Sequence, residues 1–374
     1  MCREKNLHLP ENNTLDFCAW NIHGYQSRQI GPKFIDPDFL NQIQEVDFLG
    51  LTETHIHDEI LEELNIPGFT RISYKNRIKN LKSGTSSGGI AVFAKVHLAK
   101  LFSPIKNNNA DSIWVKLKKE ITGEENDIFI GTWYLSPQKG KDGNDKMEAL
   151  SEEIIYFQKK GHVIINGDLN AKTGVEDDFV IPDKYNDLTN IQHGDAIRKR
   201  NSQDKTLNER GRFVLDMCKG LDLHIVNGRK TGDVFGKFTS IQWNGNSVVD
   251  YVITAESLFE KISTFQVGEF VPWLSDHCPL KFSLELNKIK QSNPINKMVN
   301  GPVHFIWSDH SKINFHTQLS KQDTRLKIDE IVNSHYEDPT KMTSELTKIL
   351  IKTAKQANVK TISNKKRKEK PPVV

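Results

Sequence analysis

The chain has 374 residues, 37% of them hydrophobic and 9% aromatic, enough to bury one large core or two ordinary ones. No run of 18 apolar residues occurs and MCREKNLHLPENNTLD has no apolar segment behind its charges, so neither a membrane span nor a secretory signal is expected. The net charge of +3 is uneven: residues 291–374 hold 15 Lys/Arg against 8 Asp/Glu, while residues 1–290 hold 36 against 40.

In chain order, apolar and β-branched runs predict strands over LDFCAW (15–20), VDFLGLT (46–52), GGIAVFA (88–94), SIWVKL (112–117) and DIFIGTWY (127–134). KMEALSEEIIYFQKK (146–160) follows, with Met147, Leu150, Ile154, Ile155 and Phe157 at helical spacing. HVIIN (162–166) reads as a buried strand, and Gly167 after it permits a sharp exit. LNERGRFVLDMCKG (207–220) predicts a second helix closed by a glycine cap at Gly220. LDLHIVN (221–227), GKFTSIQW (236–243), SVVDYVIT (247–254) and PLKFSLEL (279–286) complete the strands. About ten strands with few helices and no regular alternation predict two packed, largely antiparallel sheets with helices outside. A polar linker, KIKQSNPINKMVNGP, then sets a boundary near residue 290, beyond which TKMTSELTKILIKTAKQA (340–357) is amphipathic and NKKRKEKPPVV ends the chain. KKRKEK (365–370) is either a nuclear import signal or a solvated tail.

Cys2, Cys18, Cys218 and Cys278 lie far apart with no C-x-x-C pair. They read as free thiols of a reducing compartment, with no disulfide partner and no zinc site, and the expected location is nuclear or cytoplasmic rather than secreted.

The polar residues at strand ends repeat one design. LDFCAW leads to Asn21, VDFLGLT to Glu53, DIFIGTW to Tyr134, HVIING to Asp168 and Asn170, and SVV to Asp250, while PWLSDHCPL carries Ser275, Asp276 and His277. Singly, Asp168 and Asn170 are what a turn asks for, Glu53 could be a cap and Tyr134 could fill a core. Turns rarely demand acid, amide, phenol and imidazole together, so the recurrence points to a site.

The ordered set WNIHG (20–24), LTETH (51–55), NGDLNAKTG (166–174), SVVDYVI (247–253) and SDHCPL (275–280) resembles the endonuclease/exonuclease/phosphatase superfamily, in particular the apurinic-type endonuclease domain of non-LTR (LINE-like) retrotransposons. The resemblance covers roughly residues 14–287, and residues 208–239 are similar to retroelement endonucleases rather than to repair enzymes. It implies an α/β (α+β) fold, a four-layer sandwich of two packed mixed β-sheets flanked by helices, with a divalent metal, Mg²⁺ or Mn²⁺, at one end. The expected organisation is a 14–290 catalytic domain and a 291–374 basic, partly helical connector and flexible tail.

Phosphodiester hydrolysis needs an attacking water, charge stabilisation on phosphorus and help for the leaving oxygen. Carried over residue by residue, the resemblance makes Glu53 and Asn21 metal ligands, with Asp276 at the metal or its waters. Asp168 orients or deprotonates the water and Asn170 donates its amide to the phosphoryl oxygens. His277 donates to the phosphate, Asp250 orients its ring and raises its pKa, and Tyr134 offers a phenol. Thr239 and Ser275 are the small donors expected on DNA phosphates. Many apurinic-type relatives place a further acid two residues after the first Asn; here that position is His23, which leaves the metal count open. A packing or surface role suits His23 as well as ligation, and it is not among the expected site residues.

The implied activity is nicking of one DNA strand to leave a 3′-hydroxyl, as in target-primed reverse transcription. A phosphatase or phosphodiesterase acting on nucleotide, RNA or phospholipid is the alternative, and an inactive DNA-binding remnant a further one. DNA is the expected partner, with no membrane. Lys75, Arg77, Lys79, Arg198, Lys199 and Arg200 are either phosphate contacts or a solvated surface. The tail is similar to connectors that precede a reverse transcriptase domain, which is absent from this chain, so a truncated copy, a fragmentary gene model or a co-opted endonuclease is expected.

Overall fold

The computed structural model describes residues 13–76, 88–137, 141–179, 199–287, 304–306, 309–333, 339–357 and 360–362. By its internal contacts the chain divides into two units, Met1–Lys290 and Gln291–Val374. The first carries β1 (Thr14–Asn21), helix α1 (Pro37–Gln42), β2 (Phe48–Thr52), β3 (Phe69–Lys75), β4 (Ile90–Lys95), β5 (Phe102–Ile105), β6 (Ser112–Leu117) and β7 (Asp127–Tyr134). There follow α2 (Lys141–Gln158), β8 (Gly161–Asp168), α3 (Glu209–Leu221), β9 (Leu223–Ile225), a hairpin of β10 (Ser240–Gln242) and β11 (Gly245–Ser247), β12 (Asp250–Ala255), β13 (Ile262–Val267) and β14 (Leu280–Glu285).

Two six-stranded sheets result, in the orders β13-β14-β1-β2-β4-β3 and β9-β12-β8-β7-β6-β5. Both are mixed: β1 runs parallel to β2 and β7 parallel to β8, and the other ladders are antiparallel. The alternation of side chains along a strand explains the layers. Leu15, Phe17 and Ala19 face a core between the sheets, shared with Val92, Val115, Ile130, Ile164, Val252 and Phe282. Cys18 and Trp20 face outward, with Leu49, Leu51 and Phe93, onto Phe39 of α1. On the opposite side Trp114, Trp133 and Ile165 pack beneath Leu150, Ile154 and Phe157 of α2 and Val214 and Cys218 of α3. Strands buried on both faces read as continuous apolar runs, which is why they were visible in the sequence. The result is the expected four-layer sandwich.

Two local expectations are corrected. Gly167 does not turn the chain: it lies inside β8 at φ +128°, where an added Cβ would stand 2.1 Å from the Trp133 carbonyl oxygen. The helix α3 runs past Gly220 to Leu221, and Asp222 closes it in the left-handed conformation, its N–H donating to the Cys218 carbonyl. At the other end Asn208 caps α3, its Oδ1 accepting from the N–H groups of Gly211 (2.7 Å) and Lys172 (3.0 Å), so one side chain ties the helix start to the loop after β8.

The second unit contains α4 (Asp309–Leu319), α5 (Gln322–Asn333) and α6 (Pro339–Gln356), with a short antiparallel pair, His304–Ile306 and Lys360–Ile362. The linker and KKRKEK lie outside the described residues. Among the described residues no helix is long and apolar enough to cross a membrane, and Cys18, Cys218 and Cys278 are buried free thiols.

Candidate active site

The topology brings the polar strand ends together. β7 and β8 are parallel and in register, so Tyr134 and Asp168 end side by side. β12 runs the other way and its first residue, Asp250, pairs with Asp168. In the other sheet Asn21 ends β1 beside Thr52 of β2, one residue before Glu53. β14 is antiparallel to β1, which brings the Ser275–His277 loop before it to the same end.

Asn21 joins the two sheets: its Nδ2 donates to Asp168 Oδ2 (2.9 Å) and to Glu53 Oε1 (3.0 Å). Asp168 Oδ1 accepts the Asn170 N–H at 2.8 Å, so the turn reading and the site reading of this pair are both realised. The Asn170 side chain donates to the Leu135 carbonyl (2.9 Å) and to Asp168 Oδ2 (3.0 Å), so its amide is engaged in holding the carboxylate. His277 Nδ1 lies 2.8 Å from Asp250 Oδ2, which leaves Nε2 as the ring's other nitrogen. The Tyr134 phenol hydrogen-bonds Glu53.

Burial and the charge of Asp250 push the Asp168 carboxyl up to about 7. Burial would lower the His277 imidazole, but the charge of Asp250 and its hydrogen bond overcome that and raise it well above the ordinary histidine range. Burial likewise opposes ionisation of Glu53, yet hydrogen bonds from His55, Asn21 and Tyr134 prevail and hold it down at about 2.

Thr239 and Ser275 are placed differently from free phosphate donors. Both are buried; Thr239 Oγ1 accepts from the N–H groups of Val249 and Asp250 at 3.1 Å, fixing the start of β12. Ser275 Oγ donates to the Asn21 carbonyl (2.7 Å) and accepts from the His277 N–H (3.0 Å). Both hydroxyls therefore position site residues. Arg200 is also buried rather than presented to a ligand, its Nη2 donating to the carbonyls of Gly174 and Glu176. Lys75 is held by the carbonyls of Asn107 and Asn109, and Arg77, Lys79 and Arg198 lie outside the described residues.

The structure adds three residues that the pattern of strand ends could not single out. His23 Nδ1 stands 3.4 Å from Asp276 Oδ1 and 3.9 Å from Glu53 Oε2. His55 Nε2 stands 3.2 Å from Glu53 Oε2. Lys33 is buried beneath them, donating to the Ile22 carbonyl at 2.6 Å, and desolvation lowers it to about 8 against the raising charges of Asp276 and Glu53. The LTETH and WNIHG motifs contain the two histidines, but Lys33 had no sequence signal.

Asp168, Asp250 and His277 could each offer an atom to a common ion. The 2.8 Å contact between His277 and Asp250 is a hydrogen bond, however, and leaves no space for an ion between them. Glu53 and Asp276 suit a divalent cation better: the Glu53 carboxyl is held ionised, and Asp276 Oδ1 is a buried acceptor with no hydrogen-bond partner. A groove of about 800 Å³ opens beside His277 and Asn170, lined also by Lys172, Asn208, Gln242 and Asn246.

A two-sheet sandwich with carboxylate, amide and imidazole gathered at one end defines a class of hydrolytic site. The chain belongs to the Endonuclease/Exonuclease/phosphatase family, whose model matches residues 18–277. Among solved structures, the AP endonuclease LMAP from Leishmania major is similar with a TM-score of 0.53 and 12% identity, over 74% of this chain and 89% of that one. The endonuclease domain of TRAS1, a telomere-specific non-LTR retrotransposon, is 17% identical with a TM-score of 0.46, over 74% of this chain and 100% of that one. A curated relative, the beta sliding clamp of Mycoplasma genitalium, is 23% identical over 218 residues; the match covers 57% of this chain and half the length of that protein.

Proposed function

We propose that this protein is a divalent-metal-dependent DNA endonuclease that nicks one strand and leaves a 3′-hydroxyl, in the manner of retrotransposon endonuclease domains. The observation that carries the reading is the hydrogen-bonded network in which Asn21 links Glu53 to Asp168 and its partner Asn170, and Ser275 ties Asn21 to the Asp250–His277 pair. In it Asp168 holds and deprotonates the attacking water, since a carboxyl raised toward neutrality is matched to that task. The water oxygen bonds phosphorus as the bond from phosphorus to the 3′ oxygen breaks, and the departing oxygen takes up a proton. His277, positively charged and oriented by Asp250, donates from Nε2 to a non-bridging oxygen. Asn170 contributes there by releasing one of its present acceptors, and Tyr134 reaches the same phosphate from Glu53. Glu53, Asn21 and Asp276 would hold the cation, which supplies Lewis-acid stabilisation of the phosphoryl charge; oxygen donors alone suit Mg²⁺.

DNA is favoured as substrate by the open groove and by Trp243, 98% exposed between β10 and β11, whose ring is free to stack on a base. The test is conversion of supercoiled plasmid to open circles with and without divalent cation. Asp168→Asn and His277→Ala should each lower the nicking rate by at least about a hundredfold. Full activity in either variant, or hydrolysis of mononucleotides or phospholipid in place of plasmid, overturns the reading.

A further inference from the structure

Among the described residues the Asp276 carboxylate has one hydrogen bond, and it comes from the β10–β11 hairpin rather than from either large sheet. Gln242 Nε2 donates to Asp276 Oδ2 at 2.9 Å. Oδ1 is buried without a hydrogen bond, although His23 Nδ1 approaches it to 3.4 Å. A hydrogen bond to an ionised acceptor is among the stronger polar contacts, so this one sets the orientation of the acid.

Gln242 ends β10, and the preceding residues of that strand are built into the site. Ser240 bridges His277, the Ile241 N–H donates to the Asp276 carbonyl and the Cys278 N–H donates to the Thr239 carbonyl, both at 2.7 Å. β10 is therefore shared between β11 on one edge and the Asp276–Cys278 segment on the other. Beyond this ladder residues 242–246 are exposed, and Gln242 and Asn244 to Asn246 line the groove that reaches His277 and Asn170. A substrate lying in that groove touches the hairpin that holds Asp276.

We propose that Gln242 is a positioning residue that acts through Asp276, so that DNA seated against the hairpin aligns this carboxylate for cleavage. The inference rests on the endonuclease reading and adds to it a link between DNA binding and chemistry. Its consequence differs from that of Trp243. A ring stacked on the DNA contributes to binding, whereas Gln242 orients a group of the site and bears on the step that follows binding.

Gln242→Met keeps the length of the side chain and removes its donors; at this exposed position the melting temperature should stay within about 2 °C of wild type. The full-length variant should nick supercoiled plasmid with kcat about tenfold lower and KM within about twofold, the split expected when a hydrogen bond supporting a site residue is lost. Trp243→Ala should instead raise KM. In the background of Asp276→Ala, Gln242→Met should lower kcat no further, because its partner is already gone. Losses that multiply, an unchanged kcat, or a loss confined to KM overturns the inference. A direct reading needs no turnover. The Gln242 side-chain amide, assigned in spectra of isotope-labelled protein by its absence from Gln242→Met, should shift on Asp276→Ala and again when duplex DNA is added to wild type in chelator. An amide signal indifferent to either change also overturns the inference. Wild-type protein that cleaves no phosphodiester defeats the endonuclease reading, and the amide spectra then decide the link between hairpin and Asp276 on their own.

Discussion

Asp168 and His277 show how one buried network ties function to stability. Asp168 has a folded pKa raised to about 7 from the ordinary carboxylate value, so its contribution to stability is full below that ordinary value and is lost as pH rises through about 7. His277 is raised too, and its contribution is full below the unfolded histidine pKa and lost at still higher pH. Both signs agree: the metal-free protein should lose stability as pH rises from about 4 to 8 on account of these two groups. Asp168→Asn removes the first of them. Calorimetry in chelator should therefore find the variant gaining on the wild type in melting temperature between pH 5 and pH 7. An offset that stays constant, or a variant that falls further behind the wild type across that interval, would mean that Asp168 is ionised without strain in the fold. The asparagine also gives up an acceptor that Asn21 and Asn170 use, so the pH trend, not the absolute melting temperature, is the informative quantity.

At the scale of elements, a buried ion pair joins the end of β9 to the loop that follows β8. Arg229 grips Asp178 through two nitrogens, at 2.7 and 2.5 Å, and Asp178 also accepts the Ile225 N–H. Both side chains are essentially inaccessible. Burial disfavours the Asp178 carboxylate, but the Arg229 hydrogen bonds outweigh it and lower its pKa. Removing one partner leaves the other charge buried, so Asp178→Ala should destabilise the fold by about 3–5 kcal/mol. Denaturant unfolding measures this, and a loss under about 1 kcal/mol would mean that solvent reaches Arg229 once the acid is gone. In the two six-stranded sheets, three strands, β3, β5 and β13, were not legible in the sequence, and all three are sheet edges. An edge strand has fewer neighbours to bury against, and FTRISYK, FSPI and ISTFQV accordingly alternate or mix polar residues where the central strands run apolar. GKFTSIQW was expected as one strand, but only Ser240–Gln242 pairs, because Thr239 turns its hydroxyl to the backbone of Val249 and Asp250.

For the whole molecule, the division at Lys290 separates every proposed catalytic residue from the basic segment beyond it. Residues 1–290 alone should fold and nick DNA, with weaker binding at low salt and a shallower dependence of affinity on salt, because fewer Lys and Arg remain to release counterions. Binding measured across a salt series for both lengths is the check. An unfolded short form would place the boundary elsewhere, and an unchanged slope would remove the tail from contact with nucleic acid. The sequence by itself determined the two-sheet class and the chemical types at the strand ends, since both follow from local apolar runs and from what interrupts them. It could not decide which of those groups stay free. Asn21 and Asp168 meet across 147 residues of chain, and only that packing shows that Thr239, Ser275 and the Asn170 amide are already engaged while His23, His55 and Lys33 join the carboxylates. Hydrogen-bond satisfaction is a property of neighbours in space, and a linear pattern carries no record of it.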